Sequence, residues 1–127
     1  MVVADQTDTM YANNRRVLKF TVTDEDNGGA LDLTGLVVKF ALARFDSEGQ
    51  PIKSNPLVDK RSDVSAEVTI TDAANGLVEV ELVTSDTASL ADQGETAYYF
   101  ELEVFDGTDP VVVATGTLTI RRNVTNA

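Results

Sequence analysis

The chain has no cysteine, no histidine and no tryptophan among its 127 residues. Without thiols there is no disulfide framework and no thiolate metal site. Without imidazole there is no histidine-ligated zinc and no general base of the Ser–His–Asp kind. Cations are scarce too: 10 Lys and Arg stand against 21 Asp and Glu, giving a net charge of −11 and a pI near 4.2. Phosphate backbones and anionic lipid surfaces are bound by clustered Lys and Arg, so neither nucleic acid nor membrane is an expected partner. No apolar run approaches the ~18 residues of a membrane span. The opening MVVADQTDTMYANN lacks the basic flank and apolar core of a signal peptide. Synthesis and folding in a cytoplasm are therefore expected.

What is present is period-2 alternation, the mark of half-buried strands. Leu18, Phe20 and Val22 alternate with Lys19, Thr21 and Thr23. Val38, Phe40 and Leu42 follow, then Val68 and Ile70, then Val78, Val80 and Leu82 against Glu79 and Glu81. Tyr98, Phe100, Leu102 and Val104 alternate with Tyr99, Glu101, Glu103 and Phe105; Val112, Ala114, Leu118 and Ile120 share a face in the last run. Asn27-Gly28 and Asn75-Gly76 signal turns. Pro56 makes residues 52–62 an edge strand or a loop, and Pro110 suits a strand start. Thr84 or Ser85 caps a short helix with Asp86 in its first turn, Leu90 plugging the core and Gly94 stopping it. Runs spaced by turns every ~8–12 residues predict an all-β protein: an antiparallel immunoglobulin-like β-sandwich of about seven strands with one short helix. The expected organisation is an extended N-terminal arm over 1–15, a sandwich domain over 16–122 and a polar tail over 123–127.

Few residues carry chemistry. There is no nucleophile elbow and no phosphate-cradling glycine loop. A carboxylate pair remains open in principle, as in glycoside hydrolysis. However, Glu79, Glu81, Glu101 and Glu103 fall on outward faces, where charges are solvated. No enzyme activity and no cofactor are expected. Asp24, Glu25, Asp26 and Asn27 put hard oxygen ligands close together, with Asp24 and Asp26 the candidate calcium ligands. The twelfth position from Asp24 is Gly35 rather than Glu, so the run is not an EF-hand loop. Asn123-Val124-Thr125 is a formal glycosylation sequon that is read as chance.

Three segments carry a family resemblance: DLTGLVVKFALAR, VTITDAANGLVEVELVTSDTASL and YYFELEVFDGTDPVVVATGTLTI. Together, across roughly Val17 to Arg122, they resemble phage virion immunoglobulin-like β-sandwich domains, nearest the N-terminal domain of phage baseplate upper proteins. The resemblance implies a structural protein of a tailed bacteriophage virion, present as a homo-oligomer (trimer favoured) or a multi-copy array. Its expected partners are phage capsid or tail proteins. Because the sequence ends at Ala127, without the longer continuation usual in that family, a capsid decoration (cement) protein is the expected form. A tail or baseplate component is the alternative. The expected contacts are Val2, Val3, Met10 and Tyr11 of the arm and Glu25, Asp26 and Asn27 of the acidic turn. A carbohydrate- or surface-binding adhesion module is a further reading and would use Tyr98, Tyr99 or Phe105.

Overall fold

The structure, a computed structural model, describes residues 4–11, 14–24, 29–54, 56–64, 67–87, 90 and 96–121. The strands are β1 (Ala4–Tyr11), β2 (Arg16–Thr21), β3 (Thr23–Asp24), β4 (Gly29–Ala30), β5 (Val37–Ala43), β6 (Val58–Arg61), β7 (Val68–Asp72), β8 (Leu77–Leu82), β9 (Thr96–Phe105) and β10 (Pro110–Arg121). A single helical turn, α1 (Thr84–Thr87), follows β8. Two sheets form the sandwich, one ordered β1-β10-β9-β5-β6 and the other β2-β8-β7; β3 and β4 make a two-residue ladder apart from both. The alternating apolar residues meet between the sheets: Leu18, Phe20, Val38, Phe40, Leu42, Val78, Val80, Leu82, Tyr98, Phe100, Leu102 and Val104 are all buried. The all-β sandwich expected from the alternation is the fold observed.

Among the described residues, pairing is antiparallel with one exception. β1 runs parallel to β10, from Ala4 beside Ala114 to Tyr11 beside Arg121. Over 4–11, the expected extended arm is the edge strand of the larger sheet. Without it, the outer edge of the twelve-residue β10 would present a row of unpaired backbone groups. The last strand also departs from simple alternation. The register shifts between Val112 and Ala114, so Val113 joins Ala114 in the core while Val112 turns half outward. The inserted residue of a bulge reverses the phase of every position before it. After Pro56, β6 is indeed an edge strand.

An immunoglobulin sandwich ordinarily pins its sheets with a disulfide and a tryptophan. Here three phenylalanines bridge the two sheets. Phe20 on β2 meets Phe100 on β9 edge to face, with ring centroids 5.9 Å apart. Phe40 on β5 stacks on Phe100 at 6.0 Å. Such pairs add about 0.5–1.5 kcal/mol beyond their apolar burial. Two residues before Phe100, the buried Tyr98 hydroxyl donates to the Leu90 carbonyl. This ties the connection after α1 to the start of β9, as in the tyrosine corner of immunoglobulin folds.

Two glycines set the loops at one end. In Asp32-Leu33-Thr34-Gly35, Asp32 Oδ1 accepts the Thr34 N–H at 3.0 Å and its hydroxyl at 2.7 Å. Gly35 takes φ 78° and Leu33 is fully buried, which turns the chain into β5. Gly76 has φ 70°, and its carbonyl accepts the Val22 N–H at 2.8 Å. A Cβ there would lie 2.3 Å from the Val22 oxygen, so only glycine allows that approach. The helical turn α1 is capped otherwise than expected. The Val83 N–H donates to Asp86 Oδ2 at 2.8 Å and the Val83 carbonyl accepts the Asp86 N–H at 3.0 Å, the reach-back of an acid three residues on.

Candidate interaction surface

The residues singled out by sequence disperse in the structure. Met10 is only 5% exposed and belongs to the core cluster, so it is not a partner contact; its place on β1 points it between the sheets. Tyr11 ends β1 opposite Arg121. Asp24 pairs through its backbone with Gly29. Val2, Val3, Glu25, Asp26 and Asn27 lie outside the described residues, as does Gly94. Among the described residues no group of three or more acidic side chains is disposed to hold a metal ion. Nor is any described helix long and apolar enough to cross a membrane. Tyr98 is 1% exposed, which removes it from any surface role.

The four strand carboxylates do lie outward, but three of them face cations. Glu81 pairs with Arg15, Glu101 lies 3.7 Å from Lys53, and Glu103 lies 3.9 Å from Lys39. These half-exposed carboxylates thus form ion pairs on the sheet surfaces. Tyr99 and Phe105 are six residues apart on β9, roughly 20 Å. Tyr99 meets Phe45 edge to face at 6.2 Å, while Phe105 lies under the Lys39 ammonium at 4.4 Å. They therefore do not form one stacking platform.

The two outer sheet faces differ in kind. That of β2-β8-β7 presents Lys19, Thr21, Thr69, Thr71, Glu79 and Glu81, with half-buried Val17 and exposed Leu77 among them. That of the larger sheet presents half-buried Val37, Ala41, Tyr99, Phe105 and Val112, with Thr115, Thr117 and Thr119 alongside. Its central charges are the two Lys–Glu pairs. Beside it, an open cleft between the ends of β5 and β6 and the start of β7 is lined by Val37, Asp63, Val64 and Ile70. Val64 is 79% exposed there.

One end of the sandwich is acidic. Backbone bonds from Val22 to Gly76 and from Leu33 to Ala73 join the loops after β2 and β7. The pairing of Val37 with Phe105 brings the β9–β10 turn to the same end. Asp32, Asp72, Asp106 and Asp109 gather there, and residues 23–36, 71–77 and 106–110 contain no Lys or Arg. Asp106 is held below the ordinary carboxylate range by accepting the Asp109 and Thr108 N–H groups. Asp32 is held low by the Thr34 hydroxyl and then its N–H. Both carboxylates are thus engaged in shaping turns.

One feature escaped the sequence reading altogether. Lys60 is 7% exposed on the inner face of β6, opposite Phe40. Its ammonium bonds Glu67 and lies 2.9 Å from Asp86 of α1. Burial opposes its charge, but the two carboxylates outweigh this and raise its pKa above the ordinary lysine value. The only sequence signal was the inward phase shared with Val58.

No family model matches the chain, and no curated protein matches it. Among solved structures, the N-terminal domain of phage TP901-1 ORF48 is similar with a TM-score of 0.45 and 15% sequence identity, over 97% of this chain and 85% of that one. The NK cell receptor Nkp44, a triggering partner in natural cytotoxicity, is similar with a TM-score of 0.44 and 12% identity, over 97% of this chain and 100% of that one. Resemblance at this level concerns the general path of the backbone and carries no function across.

Proposed function

We propose that this chain is a non-enzymatic structural protein of a tailed bacteriophage particle, acting as a capsid decoration protein that binds and stabilises the shell. One observation carries the reading: the three segments that resemble phage virion domains are whole units of the fold. DLTGLVVKFALAR is the Asp32 turn with β5; VTITDAANGLVEVELVTSDTASL is the β7–β8 hairpin with α1; YYFELEVFDGTDPVVVATGTLTI is the β9–β10 hairpin. A likeness distributed in this way concerns the architecture rather than one loop. The surface suits the role. It offers an acidic end, which complements basic patches on a shell and discourages like-charged ends from meeting.

Quantitative mass spectrometry of purified particles tests this directly. A ratio to the major shell protein near one, or one per few shell subunits, is the expected result. A few copies per particle would transfer the chain to the tail or baseplate, and absence from particles would overturn the virion reading.

A further inference from the structure

We infer that the outer face of the larger sheet is a self-association surface, occupied by the same face of a second copy of this chain. The inference does not depend on the phage reading. Like-charged copies repel over most of a surface carrying −11. At the centre of this face, however, charge cancels, because Lys39 faces Glu103 and Lys53 faces Glu101. Around those pairs lie Val37, Ala41, Tyr99 and Phe105, with Thr115, Thr117 and Thr119 beside them.

The strand register supplies the geometry. Val37 stands opposite Phe105 and Lys39 opposite Glu103 across the β5–β9 ladder. A two-fold axis along the strands between β5 and β9 lays β9 of one copy over β5 of the other. Phe105 then meets the second copy's Val37, and Glu103 meets its Lys39, twice by symmetry. The same lysine–carboxylate complement thus serves within and between copies.

Because the chain has no cysteine, single-cysteine variants report the contact cleanly. Sedimentation equilibrium of the full chain at micromolar concentration is expected to show a dimer. Ala41→Cys, on the proposed face, is expected to couple through a short bismaleimide at least tenfold faster than Thr21→Cys on the opposite sheet. Lys39→Glu should give monomers, and the swap K39E/E103K should restore the dimer, with circular dichroism confirming the fold of each. A wild-type monomer throughout, or equal coupling at the two cysteines, would overturn the inference.

Discussion

Replacing Lys60 by methionine removes the one charge that Glu67 and Asp86 share, while keeping much of the side-chain volume. Lys60 is 7% exposed; the side chains of its partners are 35% and 17% exposed. Breaking a buried pair by deleting one partner costs about 3–5 kcal/mol, because the remaining charge is stranded. Here the stranded carboxylates reach water in part, and Asp86 keeps the Val83 N–H. The expected loss is therefore smaller, about 2–3 kcal/mol, still a large share of the ~5–15 kcal/mol typical of a domain. Neutralising all three groups (K60M/E67Q/D86N) should recover most of that loss, since no buried charge then lacks a partner. The effect also has a pH signature. A raised lysine pKa contributes stability that is complete below the unfolded value of 10.5 and is lost as pH rises through the higher folded value. Urea titrations at neutral pH and on the alkaline side should show wild type and K60M converging as pH rises. If K60M is as stable as wild type at neutral pH, or the triple variant is as unstable as K60M, the triad is not the staple described.

Three further outcomes are expected. Gly76→Ala should cost about 2–4 kcal/mol, combining left-handed strain with the Val22 carbonyl clash, whereas Gly49→Ala at φ 80° in open space should cost only about 1 kcal/mol; thermal melts separate them. Tyr98→Phe strands the buried Leu90 carbonyl and should cost about 1–3 kcal/mol in denaturant midpoints, without change in the far-ultraviolet spectrum. Asp106, whose pKa is lowered, contributes stability present above 3.8 and lost as pH falls through its lower folded value; Asp106→Asn should lower stability at neutral pH and converge with wild type in acid, flattening that part of the acid unfolding curve.

Alternation by itself determined most of the core. Phe20, Phe40, Val80, Phe100 and Leu102 are inward because side chains two residues apart share a face, a property of any strand regardless of its neighbours. The Asn75-Gly76 turn was legible for the same local reason, since Gly76 acts through its own left-handed dihedral, whereas the Asp32–Gly35 turn showed itself only in the structure. Elsewhere, the outcome depended on partners distant in the chain. ADQTDTMY shows no apolar alternation, and its role as a parallel edge strand follows from β10 having an open edge beside it. The bulge that buries Val113 arises where β10 must stay paired with β9. The pairing of the charged faces likewise waited on the register that set Lys39 beside Glu103. Burial of Lys60 is the clearest case: a lysine enters an apolar layer only when carboxylates come with it, and tertiary packing alone brought Glu67 and Asp86 to it.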